Sequence, residues 1–203
     1  MTAILKVDTI QDTAGNNIIN ESSNTITIGA SGDTTNIVGT LQNNGSALAG
    51  GITEVDMWRV TTGYSGAVDP ITSNWERADT DNFAVLGTGL SQSSGIFTFP
   101  STGYYLITFV ANFSRNGDDR GIGVGIKLTT NNSSYSDLAY SATFIQQTES
   151  DATTATASVN AIAHCTDVSN VKISFNAGGA GTNTNGNTGF QETGFTCVKL
   201  ADT

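Results

Sequence analysis

The stretch that decides the fold of this chain is GIFTFPSTGYYLITFVANF, residues 95–113. It predicts a β-hairpin with a turn at residues 100–103, because proline fixes φ and glycine allows positive φ. The second strand is apolar at every odd position from Tyr105 to Phe113, and its even positions are mostly apolar as well. An antiparallel strand with one face in solvent would alternate apolar and polar residues instead. We therefore expect both faces to be covered, one by the protein's own core and the other by another copy of the chain.

Two surfaces are predicted to contact other subunits. The first is the even face of that strand, on which Tyr104, Leu106 and Val110 are the candidate interface residues. The second is the run of residues 155–163, where alanine or valine occupies every odd position. Side chains this small on one face of a strand suit close packing against a neighbouring subunit.

Composition limits the class of protein. The chain has 203 residues, enough for one substantial domain and an appendage. Its 18 acidic residues outnumber its 8 lysines and arginines, which argues against a surface for nucleic acid or anionic membrane. No apolar run is long enough for a membrane span, and residues 1–8 lack the basic-then-apolar pattern of a secretory signal. We expect folding in a cytoplasm and no membrane insertion.

The apolar pattern predicts an all-β fold. The chain has 23 glycines and abundant Thr, Ser and Asn, which is typical of many short strands and turns. No stretch has sustained helical spacing of apolar residues. Further strands are predicted at residues 54–62, near Trp75, and at residues 122–128, 138–146, 154–163, 171–175 and 190–200. Eight or more strands at this spacing indicate a sandwich or jelly roll.

The sequence of the predicted hairpin resembles that of a known family. The shared motif is Gly95-x-Phe97-x-x-Pro100-x-x-Gly103-x-Tyr105. It is similar to the central motif of the trimeric jelly rolls, the superfamily of tumour necrosis factor and the globular heads of complement's first component. The resemblance extends over about residues 54–200 and includes the last strand, residues 193–200. It implies a jelly-roll β-sandwich assembled as a homotrimer, and it implies no ligand.

The two cysteines, Cys165 and Cys197, are predicted to be free thiols. In the topology of that family they would lie on two strands that flank a third. Two strand spacings of about 4.8 Å exceed the Cα separation of under about 7 Å that a disulfide allows. His164 is the one histidine, and because it adjoins Cys165 in a strand the two side chains would point to opposite faces. We expect no catalytic site, no metal site and no cofactor.

The first 42 residues differ from the rest of the chain. No aromatic residue precedes Trp58, and short apolar pieces alternate with polar turns, so this region alone buries too little apolar surface to fold. Residues 5–10 and 25–41 are similar to the N-terminal shafts of tailed-phage fibre and virion-surface proteins. That similarity implies an extended, β-rich shaft that attaches to other virion proteins. Residues 43–51 read as a flexible Gly/Ser/Asn linker, and residues 52–203 form the head.

Five polar residues in turn-rich loops are candidates for contacts with outside partners. They are Asn116, Asp118, Asp119, Asn183 and Asn185. Polar loops on a rigid scaffold are common binding sites, and the expected partner is a cell-surface glycan or protein. A calcium site at Asp118 and Asp119 would need more oxygen ligands than this loop offers.

These observations predict a non-enzymatic structural protein at the virion surface of a tailed phage. It would be a trimeric fibre or a capsid-decorating spike, with its N-terminus on the particle and its head facing outward for stability or host-surface adhesion. Three linked heads would gain avidity from weak single sites. The alternative is a soluble lectin-like trimeric binding module unrelated to virions.

Overall fold

The computed structural model describes residues 38–39, 42–43, 46–47, 51–80 and 83–203. The chain divides into two units, Met1–Ala49 and Gly50–Thr203, and we call the second the head unit. In the first unit the two-residue strands β1 (Gln42–Asn43) and β2 (Ser46–Ala47) pair antiparallel. Nearly all of the predicted shaft over residues 1–42 lies outside the described residues.

The head unit is an antiparallel two-sheet protein. Its strands are β3 (Val55–Val60), β4 (Tyr64–Ser65), β5 (Trp75–Arg77), β6 (Ser91–Ser93), β7 (Ile96–Thr98), β8 (Gly103–Arg115), β9 (Asp119–Thr129), β10 (Ser136–Ile145), β11 (Thr153–Cys165), β12 (Lys172–Gly178), β13 (Asn183–Thr184) and β14 (Gly194–Ala201). A five-stranded sheet has the order β10-β9-β12-β7-β6, and a seven-stranded sheet has the order β4-β13-β8-β14-β3-β5, with β11 on the other side of β8. None of the described residues belongs to a helix that could cross a membrane. The predicted all-β class is confirmed.

The core lies between the two sheets and follows the period of two in the sequence. Every odd position of β8 from Tyr105 to Phe113 is fully buried, and so are Ile122, Val124 and Ile126 of β9. Successive side chains of a strand point to opposite faces, so each strand gives one complete apolar face to the core. The predicted inward face of β8 is therefore confirmed.

A cluster of aromatic rings joins the two sheets. Phe97 of β7 meets Phe195 of β14 edge-on, with ring centroids 4.7 Å apart, and Phe175 of β12 stacks on Phe195 at 4.3 Å. Trp58 and Trp75 contact Phe97 at 5.3 and 5.2 Å. Edge-on and offset pairs stabilise by about 0.5–1.5 kcal/mol each beyond their buried area. Both tryptophans therefore pack against the core.

The predicted hairpin at residues 95–113 is wrong, although both of its strands exist. β7 pairs with β6 and β12 in one sheet, whereas β8 pairs with β11, β13 and β14 in the other. The turn carries the chain across the sandwich because apolar residues before and after it must reach the same core from opposite sheets. Phe99 and Tyr105 pack at this corner with centroids 4.5 Å apart.

The glycine that ends this turn is required by close approach of the backbone. Gly103 has φ +147°, and a Cβ there would lie 2.5 Å from the carbonyl oxygen of Ala201. Two residues on, the Tyr105 hydroxyl donates to the carbonyl oxygen of Ser101 at 2.9 Å. The motif at residues 95–105 therefore corresponds to a packed corner between the two sheets.

Cys165 and Cys197 lie on the two neighbours of β8, opposite Gly103 and Ile107 respectively. Both side chains are buried free thiols. Burial raises the pKa of both thiols, so they remain protonated at neutral pH and behave as small apolar groups.

Candidate subunit interface

One row of apolar side chains crosses the outward face of the seven-stranded sheet, the face turned away from the core. The row consists of directly opposed residues on neighbouring strands: Ile162 with Leu106, Leu106 with Val198, Val198 with Val55, and Val55 with Leu86. Opposed side chains on one face lie about 4.5–5.5 Å apart at Cβ, so the row is continuous. Ile162 is 57% exposed and Leu86 is 47% exposed. The three members between them, Leu106, Val198 and Val55, are half-buried in the single chain.

All three predicted interface residues lie on this face. Leu106 is the second member of the row, next to Ile162, and Val110 and Tyr104 flank it along β8. The Tyr104 ring stacks on the His164 imidazole with centroids 4.1 Å apart and planes 6° apart. The other four members of the row could not be assigned from the sequence, because their partnership depends on the register between distant strands.

The small residues of β11 do not belong to this surface. Ala157, Val159 and Ala163 are buried in the core of their own head unit, so the prediction that this face meets another subunit is wrong. The register pairs the odd positions of β11 with the buried odd positions of β8. The even positions, among them Ile162, therefore face outward.

The same outward face becomes polar toward the C-terminal end of β8. The Asn185 amide donates to Asn112 Oδ1 at 2.6 Å, and the Ser114 hydroxyl donates to Asn185 Oδ1 at 2.9 Å. The Asn112 amide donates to the hydroxyl of Thr156 on β11 at 3.1 Å. We call these residues, with Ser65 and Asn183, the polar half. We call Tyr104, Val110 and the row the apolar half.

An arginine between the halves adds no free charge to the face. Arg59 of β3 lies opposite Gly194, which in turn lies opposite Val110. Its guanidinium donates to Glu76 at 2.9 Å, to Asp79 at 2.6 Å and to the Thr80 hydroxyl at 2.9 Å. Two carboxylates pair with this one buried cation, so the arginine is compensated and the cluster carries one excess negative charge at the exposed Glu76 and Asp79.

The five predicted loop residues lie in three different places. Asn183 and Asn185 belong to the polar half, whereas Asn116 and Asp118 bond to Gln147 in the β10–β11 connection. The fifth, Asp119, begins β9 and accepts a hydrogen bond of 2.6 Å from the Thr182 hydroxyl. That bond, with two backbone N–H donors and the charge of Arg115, lowers the pKa of Asp119 despite its burial. Within the described ranges, no three His, Cys, Asp or Glu side chains lie together as metal ligands would.

A second exposed apolar surface lies on β10, the edge strand of the five-stranded sheet. It consists of Leu138, Tyr140 and Phe144, and the two rings are 60% and 63% exposed. The Tyr140 ring lies over Gly123, where an added Cβ would be 2.7 Å from Tyr140 Cζ. We call these three residues the edge patch. Monomeric proteins seldom expose clustered large apolar side chains without a use.

Comparison with known proteins identifies the fold. No family model matches the sequence, and no curated protein matches it. Among solved structures, Eiger TNF from S. frugiperda superposes with a TM-score of 0.51 at 13% identity, covering 73% of this chain and 93% of that chain. Murine APRIL, crystallised at pH 5.0, gives 0.50 at 16% identity, covering 72% and 98%. The head unit therefore has a TNF-like jelly-roll fold, as its motif predicted.

Proposed function

We propose that this protein is a non-enzymatic homotrimer that serves as a structural protein of a virion surface. The observation that carries the proposal is the apolar row from Ile162 to Leu86 on the face of the seven-stranded sheet turned away from the core. Full burial of one Val, Leu or Ile side chain stabilises by about 1.5–3 kcal/mol. Folding of one chain leaves part of this free energy unused, mostly at the exposed Ile162 and Leu86, and association gains that part.

The two apolar surfaces favour a ring over a two-fold dimer. A two-fold interface uses one patch against itself, whereas a closed ring joins two different patches on each subunit. The apolar half and the edge patch are two such patches on different sheets. In the proposed trimer, the apolar half of each subunit packs against the edge patch of the next.

Attachment to a particle is the role proposed for the first unit. The support is the similarity of residues 5–10 and 25–41 to phage shaft sequences. The head units would then face outward, where three joined heads stabilise the surface or adhere to a host with avidity. The acidic chain, with a formal net charge of −10, favours partners other than nucleic acid.

Two charge variants test the trimer and its geometry together. Leu106→Asp disables the apolar half and Phe144→Asp disables the edge patch, so each variant alone should sediment as a 21.0 kDa monomer. Mixed at high concentration, they should form a heterodimer, because one intact pair of patches remains. Thr154→Asp, on the outward face of β11 beyond the row, is the control and should stay trimeric. A Phe144→Asp protein that associates like the wild type would contradict the ring.

Labelling of particles tests the virion role. Antibodies raised against the head unit should decorate intact purified particles that contain this chain, as seen by electron microscopy. Decoration only after the particles are opened would contradict an outward-facing head. Absence of the chain from all particles would favour the soluble lectin-like alternative.

A further inference from the structure

A polar pocket opens where the seven-stranded sheet divides. β8 pairs with β14 from Tyr104 to Val110, and then with β13 at Phe113 and Ser114. The pocket at this fork is an open surface depression with a volume of about 460 Å³, similar in volume to small-molecule sites. Its lining residues are Gly63, Tyr64, Ser65, Ser114, Asn183, Thr184, Asn185, Gly186 and Glu192.

The polar groups of the pocket are held in place without a ligand. Ser65 Oγ donates to Asn183 Oδ1 at 2.8 Å, and Asn185 is fixed by its bonds to Ser114 and Asn112. Each asparagine amide has more hydrogen-bonding groups than these contacts use. The pocket therefore presents oriented donors and acceptors whose ordering costs little on binding.

Two lining residues, Tyr64 and Thr184, face away from the pocket. Thr184 lies opposite both Tyr64 and the fully buried Phe113, so their side chains point into the core. Burial raises the pKa of Tyr64 to about 12, so its phenol keeps its proton at neutral pH. The groups left to recognise a guest are the outward polar side chains, among them Ser65, Asn183 and Asn185.

The charge of the lining selects the class of guest. Glu192 is the one carboxylate, and no lysine or arginine lines the cavity, which disfavours phosphate, sulfate and sialic acid. The lining is composed of small and polar residues, which disfavours an apolar ligand. We propose that the pocket binds a neutral, hydroxyl-rich carbohydrate unit. This inference rests on the proposed adhesive function and names its ligand class.

The proposed site and the proposed interface occupy opposite ends of one face. Leu106 and Ser114 are eight residues apart on β8, a separation of about 26 Å in an extended strand. The lining residues of one head unit form the pocket by themselves, so we expect a monomer to bind and the trimer to add avidity.

Saturation-transfer NMR on the full-length protein tests the site. The neutral probes are the methyl glycosides of glucose, galactose and mannose, with N-acetylglucosamine and N-acetylgalactosamine; N-acetylneuraminic acid is the anionic probe. Transfer to at least one neutral probe is expected, and it should fall at least about fivefold in Ser65→Trp, where the new ring fills the cavity. Asn116→Ala, outside the lining, should bind as the wild type does.

Three results would overturn the inference: transfer to no neutral probe, unchanged transfer in Ser65→Trp, or equal transfer to N-acetylneuraminic acid. The Leu106→Asp monomer allows the pocket to be tested without the trimer. If the wild-type protein proves monomeric but still binds a neutral probe, only the proposed assembly is contradicted. A trimer that binds no neutral probe would contradict only the carbohydrate site.

Discussion

The apolar half and the polar half lie on the same face of the same sheet, yet their side chains are satisfied in different ways. In the polar half, Asn112, Ser114 and Asn185 form hydrogen bonds with one another inside one chain. In the apolar half, Leu106 belongs to a row whose inner members are half-buried and whose ends, Ile162 and Leu86, are exposed. The strand β8 passes through both halves with the same alternation of faces.

This difference shows how one strand can carry two kinds of surface. Apolar groups gain free energy only when they are removed from water, so the apolar half gains from a second chain. A polar network that is already bonded gains little from burial, so the polar half remains suited to solvent or to a hydroxyl-rich ligand.

The largest expected effect comes from a charge in the apolar half. Ile162→Asp should dissociate the trimer, because a carboxylate buried without a partner costs several kcal/mol. About 4 kcal/mol corresponds to a thousandfold rise in the dissociation constant. Thr154→Asp lies on the same face of the same strand and should change the sedimentation profile little. Equal behaviour of the two variants would remove the distinction between the halves.

The next effect is a difference in stability between variants on the two faces of β8. In the Ile162→Asp background, which removes assembly from the measurement, Phe109→Ala should lower the free energy of unfolding by about 3–5 kcal/mol. Val110→Ala, on the outward face, should lower it by under about 1 kcal/mol. Urea unfolding measures both. A larger loss for Val110 would mean that its face is packed within one chain.

A smaller effect is expected in the polar half. Asn185→Ala removes the bonds to Asn112 and Ser114, and each such bond contributes about 0.5–1.5 kcal/mol. Urea unfolding should show this loss while the sedimentation profile stays that of the wild type. A change of oligomeric state in this variant would place the polar half inside the interface.

The smallest effect is a pH dependence beside the polar half. The Thr182 hydroxyl, the backbone donors and Arg115 hold the pKa of Asp119 below its ordinary value. Its stabilising contribution is therefore complete above about pH 5 and is lost as the pH falls through the folded-state pKa. Asp119→Asn should be less stable than the wild type at pH 7, and the difference should shrink below pH 4. A difference independent of pH would contradict this role.

The elements of the fold were predictable wherever a period of two was visible. The inward faces of β8 and β9 follow from alternation alone, and the motif around Gly103 predicted the jelly roll. The partner strands were not predictable, because pairing depends on register between distant segments. For this reason the hairpin prediction at residues 95–113 failed.

The candidate interface shows the same limit. Tyr104, Leu106 and Val110 were predicted because both faces of one strand are apolar. Ile162 sits in a strand whose other face is rich in alanine, and that face was taken for the contact surface. The alanines instead belong to the core of the head unit, because the odd positions of β11 lie opposite the buried odd positions of β8.

The central claim is that the apolar half is covered by other copies of the chain. The solution mass of the intact protein, by light scattering behind a sizing column, tests it most directly. The claim predicts the mass of three 21.0 kDa chains. A monomer at all accessible concentrations would contradict it, because the row through Leu106 would then be stable in water.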